Sequence, residues 1–401
     1  MTVQAIPLRT ATDTALANNP ALQRTERAIQ VAEQALKSAR GQKGFSVTAS
    51  GGFSASKYEG TSSDESLTAR VGASLPLYTG NRLESQIRSA ELEIDIAKFD
   101  YAQACDDLIY QVTTAYINSL ENLATANVYI ETENNLAEHE QNIAAQYDAG
   151  AKARIDYIRA QVETSNAEQD TAKSYADYEV SLVNLATLMA VDNISNLSVE
   201  DVATRSEFGE IEYYLNKADE NRNDLKSSEL KIEQGDVNIE IAKSGKRPTI
   251  AAEIASGLSA GTGDWHLSPS ATAGVNASWN IFDSGVTRAE IRSAEIELER
   301  LQLALRNDIN SVHEEVLTAY KNLRIALLRL KTTQRAVNLA EEERYIATEK
   351  YRAGEGILLD VLDAEVALTT AKKNHVSATY DVARYRFDLA HATGDTLSVL
   401  Q

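Results

Sequence analysis

Proline and glycine are scarce, five and 19 among 401 residues. With so few breakers and abundant Ala, Glu, Leu, Gln and Lys, the chain favours long helices. Cysteine occurs once, at Cys105, which excludes an intrachain disulfide and a cysteine cage for zinc. Its place inside a helical stretch suits a small buried apolar side chain. No run approaches the ~20 apolar residues of a membrane-spanning helix. The start, MTVQAIPLRTATD, lacks the basic-then-apolar pattern of a signal peptide, which fits either a cytosolic protein or a mature exported chain with a new initiator Met. Positive charge is short: a net charge of −20 argues against a duplex nucleic-acid binder and favours attraction of cations. The histidines, His139, His266, His313, His375 and His391, are scattered, and no HExxH, GxSxG, phosphate loop or dinucleotide fingerprint accompanies them. No catalytic residue, cofactor or metal site is expected.

What is present is repetition. IRSAE occurs at Ile87 to Glu91 and again at Ile291 to Glu295, 204 positions later. The same offset carries Ala115-Tyr116 onto Ala319-Tyr320, Asn118 onto Asn322, and YDAGAKARIDYIRA from Tyr147 onto YRAGEGILLDVLDA from Tyr351. The chain therefore reads as two copies of one plan: a first repeat over 1–210 and a second over 211–401.

Two stretches, 81–146 and 285–350, contain no proline and, past Gly285, no glycine. As helices each would extend about 100 Å. In the second, Ile309, Val316, Leu323, Leu330 and Val337 recur every seventh residue beside Val312, Ala319, Ala326, Thr333 and Ala340, a heptad seam with small residues on one side. Shorter helices are expected at about 10–40 and 155–190, with counterparts at 211–243 and 357–392. Turns lie between, at 147–154 and 351–356.

The segments 45–78 and 249–282 have a different texture. Phe45, Val47, Ala49, Gly51, Phe53 and Ala55 alternate with small polar residues, as do Leu67, Ala69, Val71, Ala73, Leu75 and Leu77, and the second repeat does the same from Ile250 and from Ala271. Period two indicates strands with one apolar face, joined by loops at EGTSSDES and SAGTGDWHLS. Phe45, Tyr78, Trp279 and Phe282 at one rim, with Tyr58 and Trp265 at the other, fit the aromatic girdles of a membrane β-barrel, while the pattern taken alone fits a soluble sheet equally well. Four strands cannot close such a barrel, since the smallest use eight, so if these strands lie in lipid several chains must share one to remove the edges.

This order of helix, β-hairpin, very long helix, turn and shorter helix, given twice, resembles the TolC family of outer-membrane channel proteins across essentially the whole chain. LYTGNRLESQIRSA, IFDSGVTRAEIRSA, the YxAG turns and LLDVLDAEVALTTAKKN carry the resemblance. It implies a mainly α fold with a membrane β-barrel part: a homotrimer whose 12-stranded barrel in outer-membrane lipid continues into a periplasmic α-helical barrel. The function implied is a passive exit duct of a tripartite efflux pump or type I secretion system, driven through a periplasmic adaptor by an inner-membrane transporter. Asp360 and Asp363 match the family's aspartates that ring the closing aperture. Asp156 and Tyr351 match residues linking neighbouring hairpins. The arginine that completes the link would fall at Gly356, leaving Arg154 and Arg352 as stand-ins. Tyr147, Ala149, Gly150, Ala353 and Gly354 shape the turns where an adaptor would dock, and 191–210 would wrap the tunnel's waist. The rival reading is a non-channel periplasmic adaptor or coiled-coil scaffold.

Overall fold

Each long helix is preceded by two successive residues in left-handed backbone geometry: Gly80 (φ 64°) and Asn81 (φ 68°), then Ser284 (φ 55°) and Gly285 (φ 92°). The structure, a computed structural model, describes residues 6–57, 64–194, 209–261 and 264–396. Its elements are α1 (Leu8–Asn18), α2 (Pro20–Gly41), β1 (Ser46–Ser56), β2 (Asp64–Tyr78), α3 (Arg82–Asp148), α4 (Arg154–Met189), α5 (Ile211–Asn221), α6 (Asn223–Ser244), β3 (Thr249–Gly261), β4 (Asp264–Ser278), α7 (Val286–Ala353) and α8 (Leu358–Ala392). The chain divides into two compact units, and each draws on both halves of the sequence.

One compact unit holds Thr25–Asp100 and Asp224–Asp308. Its sheet is antiparallel in the order β1-β2-β3-β4. The register sets Val47, Ala49, Gly51 and Phe53 opposite Ala73, Val71, Ala69 and Leu67. These in turn oppose Ile254, Ser256, Leu258 and Ala260, and Ile254 and Leu258 oppose Ala273 and Pro269. One face is thus largely apolar, and the other carries Ser, Thr and Gly with Arg70 and Glu253. Val71, Ile254 and Val275 are exposed. Phe45, Tyr78, Trp265, Trp279 and Phe282 are exposed as well, and Trp279 Nε1 donates to the Lys246 carbonyl at 3.0 Å. Tyr58 lies outside the described residues.

The strands run further than the apolar alternation. β3 continues to Gly261 and β4 begins at Asp264, so most of the expected loop SAGTGDWHLS is strand. Ladder hydrogen bonds use the backbone, and Ser, Gly and Thr satisfy them as well as apolar residues do. At the base of the sheet, a Cβ on Gly80 would stand 2.8 Å from Arg247 Cβ, and Arg247 Nη1 donates to the Gly80 carbonyl at 3.0 Å. Glycine is required there on both counts, φ and space.

The other compact unit holds Met1–Arg24, Tyr101–Asn223 and Ile309–Gln401, so α2, α3 and α7 each contribute to both units. Leu8, Ala11 and Ala15 of α1, Val112, Tyr116 and Leu120 of α3, Leu185 and Met189 of α4, and Phe387 of α8 form its largest buried cluster. Half-buried Cys105 packs against that cluster, as a small apolar side chain would. Along α7 the seam is real: Val312, Val316, Ala319, Leu323, Ala326, Val337 and Ala340 are all buried.

Two expected helices are each broken in two. Asn19 takes an extended ψ of 120° because a residue before proline is driven out of helical geometry. Its side chain then caps α2, accepting from Ala21 N at 2.9 Å, with Pro20 at a first-turn position that needs no N–H. The second break falls at Arg222, with ψ also 120° and no proline after it. Arg222 is buried, and its guanidinium pairs with Glu315 at 2.9 Å. Most of the expected waist segment 191–210 lies outside the described residues.

Candidate functional site

The candidate site is built on the two helix-turn-helix connections. α3 ends in a glycine turn: Gly150 has φ 73°, its N–H bonds to the Tyr147 carbonyl at 2.8 Å, and Ala151 N reaches the Gln146 carbonyl at 2.8 Å. The end of α7 repeats this, with Gly354 at φ 77°, Gly354 N on the Tyr351 carbonyl at 3.2 Å and Glu355 N on that of Lys350 at 2.9 Å. Left-handed backbone at the residue past a helix end satisfies the last carbonyls, and glycine adopts it without penalty.

Asp360 stands in the first turn of α8, where its carboxylate accepts the Ile357 N–H at 3.5 Å. It caps the helix and complements the helix dipole. Asp363 follows one turn later on the same face. Both are exposed and line an open groove of about 560 Å³ between α7 and α8, with Glu342, Glu343, Lys350 and apolar Leu339 and Ile346. Lys350 is the one cation among four carboxylates in that lining.

The link residues are arranged otherwise than the resemblance implies. Tyr351 is buried and its hydroxyl has no hydrogen-bond partner among the described residues, so the Tyr351–Asp156 bond is not made within the chain. Lys152 Nζ instead sits 3.9 Å from the centroid of the Tyr351 ring, and His139 packs on the same ring at 5.6 Å. A cation over an aromatic face is attracted by the ring's quadrupole. Arg352 pairs with Glu349 on its own helix at 2.9 Å, and Arg154 and Asp156 lie in the first turn of α4. Tyr147 stacks on Tyr157 at 5.8 Å. Gly356 has a steric cause: a Cβ there would stand 3.2 Å from both Lys350 Cβ and Tyr351 N.

His139, Lys152, Arg344 and Glu365 were not singled out by sequence. Glu365 is buried, ion-paired with Arg344 at 3.6 Å, and accepts from Asn135 at 3.1 Å. Burial lowers the His139 pKa, as do the charges of Arg352 and Lys152, against an opposing pull from Glu138. His313, one of the scattered histidines, is partly exposed and contacts Asp219 at 2.9 Å.

Comparison with known proteins bears on the whole chain. The family model described as "Outer membrane efflux protein" matches residues 11–191 and 214–395. Protein CyaE of Bordetella pertussis is 22% identical over 97% of this chain and 84% of its own length. Outer membrane protein TolC of Escherichia coli K12 is 21% identical over 78% of this chain and 71% of its own. The solved structure of the outer-membrane channel OprN superposes with a TM-score of 0.82 at 19% identity, covering 97% of this chain and 90% of that one.

Proposed function

Since the chain belongs to the outer membrane efflux protein family, we propose that three copies assemble into one exit duct, a 12-stranded barrel in outer-membrane lipid continued by a periplasmic helical barrel. The observation that carries this reading is the open sheet: among the described residues β1 pairs only with β2 and β4 only with β3. In hydrocarbon, each unpaired backbone group costs several kcal/mol, so those two edges need strands from neighbouring copies. Exposed apolar residues on α4 (Ile155, Val162, Val180) and on α7 (Leu317, Ile325, Leu328) supply helical contacts between copies. The adaptor or scaffold alternative is set aside, because it explains neither the duplicated hairpins nor the family match.

The duct performs no chemistry of its own. An inner-membrane transporter and a periplasmic adaptor docked near the turns drive export through it. Asp360 and Asp363, repeated by the symmetry, form an acidic constriction that favours cations. Single-channel recording under a salt gradient tests this: the native protein shows cation selectivity that weakens in Asp360→Asn/Asp363→Asn. Unchanged selectivity in that variant removes the aspartates from the constriction, and a protein that never inserts refutes the duct.

A further inference from the structure

Three side-chain atoms, His139 Nε2, Arg344 Nε and Tyr351 Oη, are buried near the turns without a hydrogen-bond partner among the described residues. Such concentration is unusual, since buried polar groups are ordinarily satisfied. His139 and Arg344 line a cavity of about 100 Å³ where α3, α7 and α8 meet, together with Asn135, Glu138, Arg352 and Glu365. Against it, Tyr351 is held between His139 of α3 and Lys152 of the first turn. The first hairpin therefore grips the end of α7 through one ring.

We propose that the His139–Tyr351–Lys152 contact is an acid-released latch between the two hairpins: a proton on His139 creates a buried imidazolium among Arg344, Arg352 and Lys152 and loosens α3 from α7. The charged groups facing His139 are Arg344 and Arg352 from α7, Lys152 from the turn, Glu138 from its own helix and Glu365 from α8. Glu365 is already engaged by Arg344 and Asn135, so it is not free to receive the imidazolium. Burial, Arg352 and Lys152 disfavour the imidazolium and Glu138 favours it, while Arg344 and Arg352 keep their own carboxylates, Glu365 and Glu349.

The sign follows. The packed state holds His139 below the ordinary histidine value of 6.5, so it binds a proton less readily than the loosened state. The latch is at full strength above about pH 6.5 and weakens as pH falls below it. Its consequence for transport, a turn region that opens in acid, rests on the duct reading above. The latch itself does not.

Amide hydrogen exchange on the purified full chain in detergent, corrected for intrinsic rates, tests it at pH 7.5 and 5.5. In the native protein, peptides covering 136–143 and 345–356 lose protection in acid, by up to about tenfold for each unit by which the histidine pKa is lowered. His139→Phe keeps a ring against Tyr351 and abolishes that loss. Lys152→Met removes one opposing cation, brings the packed-state value closer to 6.5 and makes the loss of protection in acid smaller, which decides the matter if the first variant fails to fold. Protection unchanged by acid in the native chain, acid loosening retained in His139→Phe, or an undiminished acid loss in Lys152→Met overturns the latch. Acid loosening without conductance at any pH supports the latch and counts against the duct, so the two failures are distinct.

Discussion

Tyr110 donates a hydrogen bond to Asp388 Oδ1 at 3.0 Å, tying α3 to α8 across 278 positions of sequence. His391 stacks on the same tyrosine at 4.4 Å and contacts Asp107 at 2.9 Å. Burial and the neighbouring Asp388 carboxylate push the Tyr110 pKa up to about 12. Burial also raises Asp388, against the pull of Tyr110, Arg384 and His391.

Two consequences are measurable at this contact. Tyr110→Phe leaves a buried carboxylate short of a donor and costs about 1–3 kcal/mol. The raised pKa means the folded chain holds the Asp388 proton more tightly than the unfolded chain, so this stabilisation is present in acid and is lost as pH rises through the raised value. Asp388→Asn, uncharged throughout, therefore gains stability relative to the native protein between pH 4 and 7. Tm measured across that range checks the sign.

Asp381 is buried between Arg329 at 2.5 Å and Arg384 at 2.7 Å. Asp381→Ala leaves Arg384 its bonds to Glu121 and Asn118 but takes the carboxylate from half-exposed Arg329, and costs about 1–3 kcal/mol. Asp95, in an exposed pair with Lys98, serves as the control: its removal changes stability by no more than about 1 kcal/mol. Urea unfolding of both variants gives the comparison.

Gly354→Ala places a side chain on left-handed backbone and costs about 1–2 kcal/mol, seen as faster proteolysis at the second turn. Gly356→Arg, which restores the arginine of related channels, does not restore a link. Its Cβ presses on the end of α7, and overpacking of this kind costs about 1–3 kcal/mol. Gly41→Ala is the control, having open space.

On the sheet, Val71→Arg puts a charge on the apolar face and costs about 2–4 kcal/mol near the bilayer midplane, which lowers the yield in the outer-membrane fraction. Its neighbour tolerates change: Gly72 faces the polar side, where a Cβ meets nothing closer than 3.6 Å. Gly72→Ser leaves the yield unaltered.

The long helices and the two hairpins were legible because both signals are local. Absent breakers mark α3 and α7, and period two marks β1 to β4. The break at Asn19 was legible in principle, from Pro20. The break at Arg222 was not, since no proline follows it and its buried guanidinium pairs with Glu315, nearly a hundred positions away. His139 read as one of five scattered histidines for the same reason: Arg344, Arg352 and Tyr351 reach it only through folding. The Tyr351–Asp156 bond drawn from resemblance is not made within the chain, where the Tyr351 hydroxyl is buried without a partner among the described residues.

The two turns share their backbone but not their company. Tyr147 and Tyr351 occupy equivalent places, yet one stacks on Tyr157 of the following helix and the other packs at a tilt against His139 from the opposite repeat. Lys152, which holds the second ring, corresponds in the other copy to Gly356, where no side chain fits without displacement. Duplication thus kept the bend in both copies but not its side-chain contacts, so the two hairpins are not interchangeable.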